Sequence, residues 1–176
     1  GIDSYLQEVQ DGRSNVIATL KGSQNGRSLM LNGHIDTVPP LAMKNPFSPI
    51  ERDGKLYGRG STDMKSGVAT MAYALIVLKR LGIQLKGDLV FAGVIDEESS
   101  RSAGTNYIVQ HGPKTDLAIV GEPTSLHPVV AHKGINYYEV TFTGEAVHSS
   151  VPENGANAIS AAADFIKLID EELATT

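Results

Sequence analysis

The chain contains no cysteine, and this absence restricts the crosslinks and metal sites that it can form. Disulfide bonds are excluded, and so are zinc sites built on thiolate ligands. Any metal ion must therefore be held by imidazole nitrogen and by oxygen atoms. Zn, Co and Mn all accept such ligands, so the residue types leave the choice among these metals open.

Two further features are absent: a concentration of positive charge and an apolar segment of membrane-spanning length. The chain has 15 Lys and Arg against 20 Asp and Glu and no basic stripe, which argues against a nucleic-acid partner. Its longest apolar region, 68–81, is interrupted by Tyr73, Lys79 and Arg80. No leader pattern opens the chain. We therefore expect a cytoplasmic protein with no membrane partner.

Hydrophobic residues make up 41% of the 176 residues, which is enough for the core of one domain and part of a second. Apolar residues predict strands at 15–21, 28–35, 88–95 and 116–120. The last two are expected to be covered on both faces. Apolar spacing of three and four predicts helices at 64–81 and 102–111. This order predicts an α/β fold with a mixed sheet flanked by helices.

The pattern changes after Glu122. Residues 135–143 alternate between polar and apolar side chains, which predicts an antiparallel strand with one solvated face. Residues 157–173 form an amphipathic helical pattern. We place a boundary near Gly134, so that residues 1–134 form one domain and residues 135–176 begin a smaller α+β domain.

Polar residues that can bind metal follow the predicted strands. His34 ends one strand, and the carboxylate of Asp36 could hydrogen-bond one imidazole nitrogen while the other binds a metal. For this pair alone, a purely stabilising contact is the favoured interpretation. Asp63 directly precedes the helix at 64–81, where the role of N-cap competes with that of metal ligand. Considered alone, Asp63 is better explained as a cap.

Three consecutive carboxylates, Asp96, Glu97 and Glu98, end the most apolar strand. They repel one another, and a bound cation would offset that repulsion. On extended backbone Glu97 and Glu98 would point to opposite sides, so one could bind metal while the other transfers a proton. The alternative interpretation is a solvated acidic loop, and we slightly prefer the functional interpretation. Glu122 also follows a strand and would alone be an ordinary loop acid.

Four segments in order, GHIDTVPP, YGRGSTDMKSG, IDEES and GEPT, resemble the M20 family of metallopeptidases and aminoacylases. That family includes acetylornithine deacetylases, succinyl-diaminopimelate desuccinylases and glutamate carboxypeptidase-like enzymes. The resemblance covers about 16–159, and the ordered set is a strong signal. It implies a zinc-peptidase-like catalytic domain followed by the start of a lid or dimerisation domain.

Matched position by position, the resemblance implies two divalent metal ions, Zn in first place and Co or Mn as alternatives. His34 and Glu122 would bind the first ion, Glu98 the second, and Asp63 would bridge both. Glu97 would be the general base and acid, and Asp36 would orient His34. His148, in the segment GEAVHSSVP, would polarise the substrate carbonyl, often across a subunit interface. The family often has a cis peptide after the bridging acid, here Asp63–Met64.

The resemblance implies hydrolysis of an amide bond in an N-acyl amino acid or small peptide, as in deacylases and carboxypeptidases. The alternatives are a di- or tripeptide aminopeptidase of the same family, a non-catalytic metal-binding dimerising fragment, and an α/β domain without metal. Glu97 favours an enzyme, because a binding protein has no need of a base that is not a ligand.

One departure from the family concerns a last histidine ligand, which lies far downstream of the lid domain in family members. The sequence ends at Thr176, inside the predicted lid helix. We therefore expect a fragment that supplies only Asp63 and Glu98 to the second metal and has doubtful activity alone. The intact protein is expected to form a homodimer through the lid.

Overall fold

The computed structural model describes residues 2–99 and 101–174. Its contacts divide the chain into two compact units, Gly1–Val129 and Val130–Thr176, which are described one at a time below. The proposed boundary near Gly134 lies a few residues inside the second unit. The assignment of these parts as a catalytic domain and the start of a lid stays a prediction.

The first unit contains seven strands and two α-helices among its described residues. In chain order they are β1 Asp3–Gln10, β2 Arg13–Leu20, β3 Leu29–His34, β4 Ile50–Arg52, β5 Lys55–Tyr57, α1 Ser66–Arg80, β6 Leu89–Val94, α2 Ala103–His111 and β7 Leu117–Val120. Five strands form the main sheet in the order β1-β2-β6-β3-β7, while β4 and β5 form a separate hairpin.

The main sheet is mixed. β1 pairs antiparallel with β2, and β2 pairs antiparallel with β6. β3 is parallel to both β6 and β7. The carboxyl ends of β3, β6 and β7 therefore meet at one edge of the sheet, which is where ligand-binding residues of parallel strands collect.

The core lies on both faces of this sheet. All six residues of β6 are buried, as expected for a continuously apolar strand covered on both sides. One face packs with Ile108 of α2, and the other packs with Met71 and Leu75 of α1. The predicted mixed sheet flanked by helices is therefore confirmed.

Two local predictions in this unit need correction, and one strand was not predicted. β1 was not expected, because most of its residues are exposed and its alternation is weak. The strand predicted at 116–120 forms, but the expected burial is wrong. All of β7 is exposed, because this edge strand contributes no residue to either core cluster of the described chain. The first helix begins at Ser66 instead of Met64, since Asp63 and Met64 have non-helical dihedral angles.

The second unit contains one long helix, α3 Ala158–Leu173, close to the predicted 157–173. Asn157 caps it, because its side-chain oxygen accepts hydrogen bonds from the amides of Ile159 (2.9 Å) and Ser160 (3.2 Å). The strand predicted at 135–143 is absent. Within the described part of this unit the only pairing is a single bridge between Glu145 and Ala156, and a strand needs a continuous partner to form.

No helix in the described part of the chain is both long and apolar enough to cross a membrane.

Candidate metal centre

Three candidate metal ligands meet at the carboxyl edge of the main sheet. The His34 Nε2 atom lies 2.9 Å from Asp63 Oδ1 and 3.8 Å from Glu122 Oε1. The three potential ligand atoms lie within 4.8 Å of one another. Zn–N and Zn–O bonds of about 2.0–2.2 Å place the donors of one ion roughly 3–4 Å apart. One imidazole and two carboxylates at these distances therefore suit a single divalent cation.

The strand topology explains why residues so distant in sequence converge. His34 is the last residue of β3, and Glu122 follows the parallel neighbour β7 by two positions. Asp63 lies in a turn that precedes α1, next to a cis peptide bond to Met64, as the resemblance implied. The N-cap of α1 is Lys65, so the interpretation of Asp63 as a helix cap is wrong.

Close backbone packing holds Glu122 in place. A Cβ atom on Gly67, in the first turn of α1, would lie 2.4 Å from the carbonyl oxygen of Gly121. The amide of Gly121 also donates a hydrogen bond to the carbonyl of Asn32 in β3 (2.9 Å). The residue before Glu122 is thus held between α1 and the sheet.

Asp36 makes different contacts from the expected ones. The backbone carbonyl of Asp36, not its carboxylate, bonds the imidazole Nδ1 of His34 at 3.0 Å; the carboxylate Oδ1 is 3.7 Å from that nitrogen. Because a carbonyl only accepts, Nδ1 carries a proton in either charge state of the ring. In the charged ring Nε2–H donates to Asp63, and in the neutral ring Nε2 has a lone pair that can bind a metal. The Asp36 carboxylate instead accepts from the amides of Glu97 (3.3 Å) and Glu98 (3.1 Å).

Glu97 and Glu98 lie in a turn after β6, not on extended backbone. Glu98 Oε1 accepts a hydrogen bond from the Val38 amide (3.3 Å). Glu98 and Asp63 line one cavity of about 190 Å³, together with Val38 and residues 58–62. Asp63 thus contacts His34 and also faces the space that Glu98 lines.

Burial shapes the protonation of the centre. It raises the pKa of Glu97 above the ordinary value; the charge of His34 opposes this, while Glu98, Asp36 and Asp63 add to it. Burial likewise raises the pKa of Glu122. For His34 burial acts to lower the pKa, but the hydrogen bond to Asp63 and the nearby carboxylates outweigh it, and the net direction is upward.

His148 lies in the second unit, where its side chain is exposed. Its Nδ1 atom accepts a hydrogen bond from the Ser150 amide (3.2 Å) and lies 2.8 Å from the Ser150 hydroxyl. The proton of the neutral ring is therefore on Nε2, which makes that atom a donor. His148 also lines a cavity of about 470 Å³ formed by residues 144–159 of this unit.

Two contributors to the site were missed from the sequence. Met64 is fully buried, and its sulfur accepts a hydrogen bond from the His34 amide at 3.2 Å. Gly67 permits the close approach of α1 to Gly121. A glycine in the first turn of an otherwise strong helix weakens that helix. Its presence could have indicated from the sequence that close packing requires a glycine at this position.

Comparison with known proteins places these residues in a family context. The sequence matches the model of peptidase family M20/M25/M40 over residues 30–175. This match includes His34, Asp63, Glu97, Glu98 and Glu122.

Two relatives are similar along nearly the whole chain. A probable succinyl-diaminopimelate desuccinylase of Staphylococcus epidermidis is 35% identical over 177 residues, which is 97% of this chain and 43% of that protein. An acetylornithine deacetylase of Proteus mirabilis is 40% identical over 164 residues, 90% of this chain and 41% of that protein. The chain thus spans less than half the length of these curated relatives.

A solved structure shares the fold. A tripeptidase from Staphylococcus aureus superimposes with a TM-score of 0.66 at 23% sequence identity, over 95% of this chain and 46% of that one. At this identity the likeness concerns the fold alone.

Proposed function

The chain belongs to peptidase family M20/M25/M40, and from this premise we propose that it carries the metal ligands and the general base of an amide-bond hydrolase. The observation that carries the proposal is the meeting of His34, Asp63 and Glu122 within 4.8 Å at the sheet edge. Glu97, whose pKa is raised, interacts electrostatically with His34 and Asp63 at the same edge.

The ligand set fits divalent metal, with Zn the first choice and Co or Mn as alternatives. His34, Asp63 and Glu122 would hold one ion. Asp63 and Glu98 line one cavity and would hold a second ion there, so Asp63 would contribute to holding both ions. Bound there, such ions would polarise a substrate carbonyl and lower the pKa of water.

The protein's own groups would move the proton and support the reacting carbonyl. Glu97 would accept a proton from water and deliver it to the leaving amine, a role that suits a carboxyl group whose pKa burial has raised. Asp36 would keep Glu97 in place through the amide hydrogen bond. The Nε2–H of His148 would stabilise negative charge on the carbonyl oxygen.

We further propose an N-acyl amino acid as the substrate. The two relatives at 35% and 40% identity are named as a desuccinylase and a deacetylase, whereas the likeness to a tripeptidase rests on fold at 23% identity. A peptidase acting on di- or tripeptides is the second candidate. Residues 135–176 would begin a lid domain through which a cytoplasmic homodimer forms.

The test uses the full-length protein with added Zn, Co or Mn and a panel of N-acetyl and N-succinyl amino acids and tripeptides. Metal-dependent hydrolysis of an N-acyl amino acid is expected. Asp63→Ala should abolish it and lose bound metal, whereas Asp164→Ala, at an exposed position of α3, should not.

Two other outcomes would contradict the proposal in different ways. Metal binding without hydrolysis of any panel member would indicate a non-catalytic binding module. A protein that retains no metal after dialysis would exclude both roles.

A further inference from the structure

We propose that Arg13, at the start of β2, is a positioning residue for Glu97 and acts through Asp96. This inference rests on the proposed role of Glu97 as the base. Arg13 lies 84 positions before Glu97 in sequence, and neither its type nor its spacing marks it as part of the site.

The contact itself is an ion pair next to the base. Arg13 Nη1 donates a hydrogen bond to Asp96 Oδ1 at 3.1 Å. The Asp96 side chain is 9% exposed, whereas that of Arg13 is 45% exposed. The second carboxylate oxygen, Asp96 Oδ2, is buried and has no hydrogen-bond partner in the described part of the chain. Arg13 is therefore the cation that hydrogen-bonds to this buried carboxylate, and Arg101 adds a weaker favourable charge.

Asp96 has a backbone conformation that needs such support. Its φ angle is +64°, in the left-handed region that residues other than glycine seldom adopt. This conformation turns the chain after β6 and sets the direction in which Glu97 leaves the strand. A contact that holds Asp96 therefore also holds the start of the turn that carries Glu97.

Arg13 acts where the backbone pairing of the two strands ends. The β2–β6 ladder stops at the pair Val16–Gly93, so Asp96 lies beyond it. Beyond this pair, side chains of β2 make the hydrogen bonds between the two segments. Asn15 Oδ1 accepts a hydrogen bond from the Ile95 amide at 3.1 Å. Asn15 is fully buried and also donates to the Gly104 carbonyl (3.0 Å).

The turn is held from the opposite side by Asp36, whose carboxylate accepts from the Glu97 and Glu98 amides. None of these bonds uses the carboxylate of Glu97. They restrain its backbone and leave its side chain available for proton transfer, which is the pattern expected of positioning contacts.

The experiment compares Arg13→Gln with Lys21→Gln in the full-length protein. Lys21 pairs with Asp88 (2.8 Å) at the other end of the same two strands, so it is a matched control for general stabilisation of the sheet. Arg13→Gln is expected to lower kcat about 10-fold to 100-fold through misplacement of the base, with KM and metal content unchanged. Lys21→Gln should keep wild-type kcat.

Three readouts separate positioning from simple stability. Arg13→Lys should recover part of kcat, and Arg13→Gln should have no added effect in an Asp96→Asn background. In the metal-free protein, Arg13→Gln should speed hydrogen exchange of the Glu97 and Glu98 amides about tenfold, while Lys21→Gln should not.

Wild-type kcat and exchange in Arg13→Gln would overturn the inference, and so would an equal loss of kcat in Lys21→Gln. If the wild-type protein hydrolyses no substrate, the proposed function fails instead. The exchange rates then still decide whether Arg13 holds the turn.

Discussion

Single residues at the sheet edge differ in how burial affects their charge. Glu97 and Glu122 both have a raised pKa, because burial disfavours the ionised carboxylate. Asp63 is more open, with 54% of its side chain exposed. A bound cation would stabilise the ionised carboxylates that burial disfavours. The negative charges of the centre would therefore be better compensated with a cation than without one.

The first prediction concerns Glu97→Gln, which keeps the size of the side chain but removes the basic oxygen. We expect kcat to fall about 10²–10⁴-fold with metal content unchanged, as for loss of a general base. Steady-state kinetics and metal analysis on the same samples measure this. Turnover near the wild-type rate would exclude Glu97 as the base.

The second prediction is a pH dependence of metal binding. His34 and Glu122 both have raised pKa values, so more protons must leave them before metal binds. Zn affinity should therefore rise between about pH 5.5 and about pH 8, with proton release. Calorimetry in buffers of different ionisation enthalpy measures the release. Binding without proton release at the lower pH would contradict the assignment of these ligands.

The same pKa shifts determine whether the stability of the metal-free protein rises or falls with pH. The raised pKa of His34 gives stability that is present below the ordinary value of 6.5 and is lost as pH rises through the folded value. Glu97 and Glu122 are favoured in their neutral form, so their contribution is also lost as pH rises. Three aspartates with lowered pKa values are already ionised in this range and leave the sign unchanged: Asp88, Asp96 and Asp116.

Metal-free protein should therefore have a higher unfolding midpoint near about pH 5.5 than near about pH 8, and added Zn should reverse the order. Thermal unfolding with chelator and with Zn measures both effects.

At the scale of elements, the site depends on where strands and helices end. β3, β6 and β7 are predictable from their apolar residues, and their parallel order brings His34, Glu97 and Glu122 to one edge. The start of α1 is less predictable. Its apolar spacing continues back to Met64, but the chain breaks the helix there and turns Asp63 towards His34.

The third prediction tests the packing of α1 against the loop of Glu122. Gly67→Ala would normally favour a helix, but its Cβ would lie 2.4 Å from the backbone oxygen of Gly121. The backbone must shift, so we expect a loss of about 1–3 kcal/mol in stability and weaker metal binding through Glu122. Chemical denaturation and Zn titration measure these.

The control is Gly134→Ala, since a Cβ atom at that glycine meets no heavy atom within 4 Å. It should change neither quantity. A more stable Gly67→Ala variant with wild-type Zn affinity would show that the contact with Gly121 is not a restraint.

At the scale of the whole molecule, the two units differ in how well they bury their residues. The first has a core on both faces of its sheet. In the second, the apolar stripe of α3 is largely exposed, with Ile159 at 81% and Leu173 at 68%. The described residues between β7 and Glu145 form no regular element.

The fourth prediction follows from that connecting stretch. Thermolysin cleaves before apolar residues, and Leu126 and Val130 are almost fully exposed in irregular backbone. The first cuts in limited proteolysis should therefore fall within 124–144, as mapped by mass spectrometry. Initial cleavage within the buried β6 would contradict this account of where the chain is least protected.

By itself, the sequence determined the family and the residue types available as metal ligands. The absence of cysteine limited ligands to nitrogen and oxygen, and four ordered segments predicted the family and the set of candidate ligands. These properties are local, because they depend on residue type and on short-range spacing.

Only the tertiary structure decided the contacts that hold these residues. Asp36 meets His34 through its carbonyl, Met64 sulfur accepts from the His34 amide, and Arg13 pairs with Asp96 across the sheet. No periodicity encodes them, since each depends on strand order and on backbone angles set by packing. The fold therefore brings a predictable list of candidate ligands into a defined arrangement.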